Sequence, residues 1–309
     1  MIERFIDWRP AGKSKVLLAK VGEIIHSYRQ QGYTLTLRQL YYQMVSRDYI
    51  PNSIKSYSNM GNLVSNARLA GIIDWDMIED RVRVAQARQH WEDPESILLA
   101  ASQSYYRDHW EDQPEYVEVW CEKDAVSNIL QPVCSKYDVT FMANRGYSSQ
   151  SAMYEAYHRL ESKMDDGKSV FIIYFGDHDP SGIDMTRDID DRMGLFLNGD
   201  IHRAFGNIER EALNMDQVRK YNPPENPAKI TDSRYKGYVI EYGESSWELD
   251  ALEPSVLSDL VEKAILRHID MDKFRDVDDV ILKHKRIIEN VAKHLDDYQE
   301  YDDEDGKME

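Results

Sequence analysis

The chain of 309 residues has little cysteine and no long apolar stretch. Its two cysteines, Cys121 and Cys134, are too few for a disulfide scaffold or a zinc site, and isolated thiols are typical of a reducing cytoplasm. No run approaches the ~20 apolar residues that a membrane-spanning helix requires. The amino-terminal segment MIERFIDWRP also lacks the apolar core of a secretory signal. These absences predict a cytoplasmic protein that has no membrane partner.

The net charge is −18, and the acidic residues are unevenly distributed. Residues 1–110 are nearly balanced, with 14 Lys and Arg against 12 Asp and Glu. The excess lies in the rest of the chain, and eight of the fourteen residues in 296–309 are acidic. Bulk acidity disfavours a protein that coats nucleic acid non-specifically, but it is compatible with a DNA enzyme whose basic face is local. Residues 296–309 are predicted to be a disordered acidic tail.

The first 110 residues contain three segments with the apolar spacing of short helices, at 13–30, 34–50 and 56–73. A turn-and-strand candidate, GIIDWDMI, covers 71–78. Short helices joined by tight turns and followed by a strand are typical of helix-turn-helix and winged-helix modules. Residues 1–110 are therefore predicted to be a winged-helix-like DNA-binding domain, and a plain helical bundle is the alternative.

Residues 111–295 alternate between apolar strands and amphipathic helices. This alternation predicts an α/β domain with a mainly parallel, Rossmann-like sheet, followed by carboxyl-terminal helices. A Pro- and Asn-rich loop is expected at 221–235, with a further strand over KGYVIEYG (236–243). The other predicted strands are 116–122, 139–146 and 169–177, and the helices are 124–137, 148–167 and 181–197.

Acidic side chains follow two of the predicted strands. Glu122 comes after the first strand, and Asp177 and Asp179 come after the strand FIIYF. The carboxyl ends of parallel strands meet at one edge of a sheet, where ligands bind. Clustered carboxylates favour a hard cation such as Mg²⁺, which in turn is typical of phosphate chemistry. The alternative is that the aspartates cap the following helix and turn.

The segments CEKDA (121–125) and GDHDPSG (176–182) resemble the glutamate and DxD motifs of the Toprim domain. The DxDPxG form is similar to that of the topoisomerase VI A subunit and its meiotic double-strand-break relatives, here as a compact bacterial or phage version. WELDAL (247–252) resembles a further motif of that domain, carried by Glu248. The resemblance implies a Toprim fold and a magnesium site made by the acids of the first two motifs.

A second match lies in TLRQLYY (36–42), which resembles the family segment that carries a nucleophilic tyrosine. Tyr42 occupies the nucleophile's place, and Arg38 is one helical turn away, so both can face one phosphate. Tyr41 and Tyr42 diverge by ~100° on a helix, so one of the two is expected to pack inside. The resemblance also implies a composite site between two protomers, which predicts that Tyr42 lies far from Glu122 within one chain.

The implied activity is Mg²⁺-dependent cleavage of double-stranded DNA through a phosphotyrosyl intermediate, carried out by a homodimer. Lys123 and Arg145 would assist at the phosphate. Strand passage would require a separate ATPase subunit, because nothing in the chain resembles an ATPase. In the loop 221–235, Lys229 and Arg234 are further candidates for DNA contacts, although an ordinary surface connector is as consistent with them.

Two other functions fit the same residues. A hydrolytic Toprim nuclease of the phage-defence or plasmid-restriction type would use the acids with water as nucleophile, and Tyr42 would be a core aromatic. A non-enzymatic DNA-binding protein would use only the helical domain. His178, between the two aspartates, is expected to point away from them because side chains alternate along an extended strand.

Overall fold

The computed structural model describes residues 2–78, 88–144, 149–198, 205 and 207–295. The predicted tail at 296–309 lies outside this range. The chain divides into two compact units, Met1–Val82 with Glu115–His268, and Arg83–Pro114 with Ile269–Glu309. The boundaries predicted at 110 and 295 do not coincide with these units, and the domain roles stay predictions.

The described residues form eleven α-helices and six β-strands. In chain order, the helices are α1 (Gly12–Gln30), α2 (Leu37–Ser46), α3 (Ile54–Leu69), α4 (Pro94–Ser104), α5 (Ser127–Lys136), α6 (Gln150–Asp165), α7 (Pro180–Asn198), α8 (Met215–Tyr221), α9 (Tyr235–Tyr242), α10 (Pro254–Leu266) and α11 (Met271–Lys293). The strands are β1 (Glu115–Cys121), β2 (Thr140–Ala143), β3 (Ser169–Phe175), β4 (Ile208–Ala212), β5 (Glu225–Pro227) and β6 (Ser245–Trp247).

The first unit begins with the three predicted helices. Thr36 starts α2 with a reciprocal capping box to Gln39, and the hydroxyl of Ser53 caps α3. Such caps satisfy amide groups that a helix terminus leaves unpaired. The apolar faces of α1, α2 and α3 then pack into one core, which includes Val21, Ile24, Leu40, Met44, Met60 and Val64.

The strand predicted within 71–78 is wrong. Trp75–Met77 forms a short 3₁₀ helix instead, and the described residues 2–78 contain isolated bridges but no strand. The carboxylate of Asp74 accepts a hydrogen bond from the Asp76 amide at 3.2 Å, which turns the chain here. Residues 2–78 are thus a helical module.

The rest of the first unit is an α/β structure, as predicted. Four parallel strands pair in the order β2-β1-β3-β4. Cys121 pairs with Phe175, so β1 and β3 end side by side. Right-handed crossovers place α5 on one face and α6 and α7 on the other. The direction of winding reverses between β1 and β3, and such a switch point is where ligands bind in open α/β sheets.

Three elements differ from prediction in the segment that follows α7. The edge strand β4 was not predicted, and β5, which pairs with β6, lies inside what was expected to be a loop at 221–235. The strand predicted at 236–243 is the helix α9. Its Tyr238 hydroxyl bonds to the backbone oxygens of His178 and Ser245, both at 3.0 Å. These contacts override the strand preference of a Tyr- and Val-rich segment.

The second unit is built from two helices far apart in sequence. α4 packs along α11, and the Tyr105 hydroxyl lies 2.7 Å from His284 Nδ1. His109 stacks on Phe274 with a centroid separation of 4.2 Å. The helix α4 and the carboxyl-terminal helix α11 therefore belong to one small α-helical unit. No helix in the described part of either unit is long and apolar enough to span a membrane.

Candidate functional site

Three acids converge at the carboxyl edge of the sheet in the first unit. One oxygen from each of Asp177, Glu248 and Asp250 lies within 4.8 Å of the others. We refer to these three residues as the acid triad. Asp177 and Asp250 are buried, and Glu248 is partly exposed. Three carboxylates this close repel one another unless a cation lies among them.

An isolated β-bridge brings the segment WELDAL (247–252), which carries Glu248 and Asp250, to the sheet. His178 and Trp247 exchange backbone hydrogen bonds of 2.8 and 2.9 Å. The chain then continues antiparallel to the end of β3, and the Leu249 amide donates to Asp177 Oδ1 at 2.8 Å. This pairing, and not sequence proximity, places Glu248 and Asp250 beside Asp177.

Glu122 lies next to the acid triad without belonging to it. Its Oε2 accepts a hydrogen bond from the Asp177 amide at 3.0 Å. Burial, with the nearby charge of Asp177, raises the pKa of Glu122 to about 7. A carboxyl group with this pKa exchanges protons near neutrality, a property that is common in functional sites.

Two glycines make room for Glu122. A Cβ atom at Gly176 would lie 2.9 Å from Glu122 Oε2, and one at Gly182 would lie 2.3 Å from the Asp177 carbonyl oxygen. Any larger residue at either position would displace the loop. The glycines of GDHDPSG are therefore required by close packing against the acids.

Asp179 has a structural role in this arrangement. Its Oδ1 accepts hydrogen bonds from the Gly182 amide at 2.6 Å and the Ser181 hydroxyl at 2.9 Å, which caps α7. The chain turns into the helix at this point, so Asp177 and Asp179 do not point the same way as an extended strand would require. The ligand set predicted from the sequence was Glu122, Asp177 and Asp179; of these, the structure gathers only Asp177 into the acid triad.

Two cations lie against the acid triad, and both were candidates from the sequence. Lys123 Nζ is 2.6 Å from Asp177 Oδ2 and 3.3 Å from Asp250 Oδ1, and it also contacts Glu248. Arg38 donates from Nε to Asp250 and from Nη2 to Glu248, each at 2.9 Å. Lys123 therefore occupies the position among the three acids that a metal ion would take.

The electrostatics of the site follow from burial and crowding. Burial raises the pKa of Asp177, and Lys123 opposes that shift. Burial acts to lower the pKa of Lys123, but the negative charges of Asp250 and Asp177 have the larger combined effect. The pKa of Lys123 is therefore raised. The ammonium group is thus held charged by the acids that surround it.

Tyr41 and Tyr42 have different environments. The Tyr41 hydroxyl donates to Asn52 at 2.9 Å and accepts from the Ser53 amide at 2.8 Å, and both tyrosines are buried where only one was expected to be. Tyr42 is 7% exposed, and its ring lies 5.6 Å from the Arg38 guanidinium. Its hydroxyl makes no hydrogen bond to another described residue. Tyr42 is therefore the member of the pair that adjoins the acids.

Tyr42 lies near two acids of its own chain, Asp250 and Asp177, while the expectation that it lies far from Glu122 stays a prediction. Burial, followed by the charge of Asp250, raises the Tyr42 pKa to about 12, and Asp177 contributes to the same shift. Arg38, one turn earlier on α2, binds the triad directly. The physical reason is that α2 packs against the 3₁₀ helix Leu249–Ala251 within the first unit.

The remaining sequence candidates are peripheral. Arg234 pairs with Asp184 at 2.8 Å and with Asp232, and Lys229 is exposed. Arg145 lies outside the described residues. His178 is buried, its Nδ1 lies 2.8 Å from the Tyr238 hydroxyl, and burial lowers its pKa to about 4. It is a neutral core histidine, in agreement with the prediction that it points away from the acids.

Sequence reasoning missed two residues of the site. Asp250 was not predicted as a site residue, although it stands two residues after Glu248. Arg210, on the unpredicted β4, donates to the carbonyl oxygens of Asp177 at 2.6 Å and Gly182 at 2.8 Å. Arg210 thereby fixes the loop that carries Asp177, and no sequence pattern marks it.

A cavity of about 430 Å³ adjoins the site on the side of α2. Arg38 and Tyr42 form part of its wall, and the start of α3 and the strand β5 form the rest. The cavity and the acid triad therefore share the side chains of one helix.

No protein-family model matches the chain, and none of the curated proteins compared with it matches. The resemblance of the acidic segments to the Toprim domain thus depends on those residues alone.

Proposed function

We propose that the protein cleaves DNA with the help of Mg²⁺ at the carboxyl edge of the sheet, as a compact relative of the Toprim proteins of the topoisomerase VI A type. One observation carries the proposal: the acid triad, assembled from two separate segments, lies beside Arg38 and Tyr42 of the same chain. The winged-helix character of the helical module and the Toprim identity of the sheet are part of this proposal.

The donor set of the acid triad fits a hard divalent cation. Carboxylate oxygens are the ligands that Mg²⁺ prefers, and it completes its shell with water and substrate oxygens. When bound, Mg²⁺ supplies positive charge that stabilises a phosphate in the transition state. Asp177, Glu248 and Asp250 would hold it, with Glu122 next to them.

Lys123 must move before a cation can enter. Its ammonium contacts all three acids, so metal and Lys123 compete for the same oxygens. The four-carbon side chain is flexible enough to leave. A displaced Lys123 can then donate to a phosphate oxygen at the edge of the site.

Tyr42 is positioned to act as the nucleophile. Its hydroxyl oxygen would form a bond to phosphorus as the bond from phosphorus to a deoxyribose oxygen breaks, and that oxygen takes up a proton. Arg38 orients the phosphate, because it is four residues from Tyr42 on the same helix. The pKa of about 12 is raised partly by Asp250 and Asp177, so neutralising those charges favours loss of the tyrosine proton.

Hydrolysis is a second candidate, favoured by the same Tyr42 environment. A tyrosine with a pKa of about 12 that is 7% exposed is a weak nucleophile unless the site changes its charge. In a hydrolytic nuclease, water would attack the phosphate, and Tyr42 would only pack against Tyr41 and Arg38.

The partners implied by the family resemblance stay predictions. These are duplex DNA as substrate, a homodimer, a separate ATPase subunit and a cytoplasmic location. Contacts of Lys229, Arg234 and Arg145 with DNA are likewise untested. A site complete within one chain does not require the tyrosine of a second protomer.

The test is a cleavage assay on supercoiled plasmid with wild type, Tyr42→Phe and Asp250→Asn, with Mg²⁺ or EDTA. Products are resolved before and after protease digestion. We expect Mg²⁺-dependent cutting, a protein–DNA adduct with wild type and no adduct with Tyr42→Phe. Tyr49→Phe, a tyrosine outside the site, is the matched control and should cut like wild type.

Each alternative gives a different result. Equal cutting by wild type and Tyr42→Phe, with free DNA ends, would establish hydrolysis. Cutting that persists in Asp250→Asn or in EDTA would contradict the role of the acid triad. Binding without any cutting would leave only the non-enzymatic DNA-binding function.

A further inference from the structure

The cavity beside α2 has the size and lining of a small-molecule site. Its volume of about 430 Å³ lies within the range of ~300–1,000 Å³ that is usual for such sites. It is far too small for a duplex, whose major groove alone is ~12 Å wide. A nucleic acid could therefore enter it only as an unpaired nucleotide.

One end of the cavity offers a cationic donor next to the acids. Arg38 uses Nε and Nη2 to bind Asp250 and Glu248, and its Nη1 has no partner among the described residues. The Arg38 side chain is 46% exposed, so it can be reached by a ligand. An anionic group bound there would lie beside the Tyr42 ring.

The middle of the cavity is aromatic. Tyr57 is 37% exposed and lies edge-on to Tyr41, with ring centroids 5.2 Å apart. Tyr41 in turn contacts Tyr42 edge-on at 5.3 Å. Stacking of a base on such a ring contributes ~1–3 kcal/mol without regard to base identity.

The cavity lining also holds an oriented amide. Asn52 donates to Asn226 Oδ1, which fixes the Asn226 side chain on β5. Asn226 Nδ2 then has no hydrogen-bond partner among the described residues. An amide donor beside an aromatic ring is suited to the polar edge of a base.

A neighbouring charge limits what the cavity can accept. Glu225 lines the same wall as Asn226. Its carboxylate repels a second anion there, so a ligand with a single phosphate at Arg38 fits better than a free nucleoside triphosphate.

We propose that this cavity binds one unpaired nucleotide of a DNA strand, with its phosphate at Arg38 and its base between Tyr57 and Asn226. The inference deepens the proposed function, because it places the scissile phosphate beside the Tyr42 hydroxyl. A duplex substrate must then be opened locally, which costs a few kcal/mol and is easiest where a base is already unpaired.

The experiment measures binding in EDTA, so that no cleavage occurs. The full chain is titrated against a fluorescent duplex with a single-nucleotide bulge and against the same duplex without the bulge. We expect binding to the bulged duplex to be about tenfold tighter. Equal affinity for the two duplexes would overturn the inference.

Two matched variants test whether the preference for the bulged duplex arises at the cavity. Asn226→Asp retains the oxygen that accepts from Asn52 and exchanges only the free donor for a charged oxygen. It should remove most of the bulge preference. Asn222→Asp, the same substitution at an exposed residue outside the cavity, should retain it. A similar loss in both variants, or in neither, would show that the cavity does not hold the nucleotide.

A spectroscopic measurement separates stacking from overall affinity. 2-Aminopurine at the bulge should lose fluorescence on binding as it stacks, and Tyr57→Ala should abolish this change. A change that persists in Tyr57→Ala contradicts the placement of the base. Because this readout needs no metal, it can succeed even if Tyr42→Phe cuts like wild type, and it can fail even if cleavage is shown.

Discussion

The first unit contains two regions with buried acids, and they are organised differently. Glu118, in the middle of β1, is 0% exposed. Its two oxygens accept from Nε and Nη2 of Arg159, each at 3.0 Å, and from Trp120 Nε1 at 2.9 Å. One acid is matched by one cation, and the donors around it satisfy both oxygens.

The carboxyl edge of the sheet has no such balance. The three acids of the triad, with Glu122 beside them, pair with Lys123 and Arg38, and the Arg210 guanidinium lies near Asp177 and Glu122. Burial raises the pKa of Asp177 and of Glu122 there. A matched buried pair maintains the fold, whereas an excess of like charge is retained where it serves binding or chemistry. Replacing an acid by its neutral amide should therefore reduce the stability of the fold in the first region and the activity in the second.

The largest effect is expected on activity from Asp177→Asn. Its Oδ1 can still accept from the Leu249 amide, so the fold is retained, but one charge of the metal site is lost. Mg²⁺-dependent cleavage should fall by at least ~100-fold, with the free energy of unfolding changed by less than ~1 kcal/mol. Cleavage rates and urea unfolding measure the two quantities. Activity close to wild type would remove the distinction between the regions.

Glu118→Gln is the matched replacement in the balanced region. The amide nitrogen of glutamine would face the donors of Arg159 and Trp120, which leaves buried groups unsatisfied. We expect a loss of about 3 kcal/mol in the free energy of unfolding, measured by urea denaturation. Cleavage per folded molecule should be unchanged. A loss below ~1 kcal/mol would mean that the ion pair does not stabilise the sheet.

Lys123→Met tests the competition between ammonium and metal. Removing the cation leaves the acid triad with Arg38 alone, so the variant should be less stable in EDTA and should bind Mn²⁺, a spectroscopic substitute for Mg²⁺, about tenfold more tightly. Calorimetric titration measures the affinity. Lys136→Met, which removes an exposed lysine paired with Glu262, is the control and should bind Mn²⁺ like wild type. Weaker binding in Lys123→Met would show that Lys123 supports the metal.

The smallest effect is expected at Asp179. Its variants distinguish the acid triad from the ligand set predicted from the sequence, which included Asp179. If it only caps α7, Asp179→Ala should cost about 1 kcal/mol in the free energy of unfolding. Asp179→Ser, which can cap but is a poor metal ligand, should be close to wild type in stability and in Mn²⁺ affinity. A large loss of Mn²⁺ affinity in Asp179→Ser would restore the ligand set predicted from the sequence.

Much of the fold was predictable because its signals are local. The apolar runs of β1 and β3 and the amphipathic helices α1, α2 and α3 stand out from the sequence, and so does the acidic edge between the two strands. By contrast, the half-polar segment IEREA gives no strand signal, since β4 is an edge strand with charged residues.

The composition of the acid triad could not be predicted in the same way. Asp250 reaches Asp177 only through the bridge between His178 and Trp247, which depends on the folded chain. In an extended strand, Asp177 and Asp179 would point to the same side, so the sequence made them look equivalent. The helix α7 begins at Pro180 and ends the extended geometry before that relation can hold. Tyr42, Arg38 and Lys123 were found because the family resemblance marked them, and the composite arrangement between two protomers that it also implied stays a prediction.

The position of α2 against the acids has a consequence for the products of cleavage. Under the proposed function, a chain that carries the tyrosine, the arginine and the acids together would open one strand unaided, so a single copy would leave a nick. A staggered break would need two copies on opposite strands. The spacing between their two tyrosines, counted in base pairs, would then set the length of the overhang.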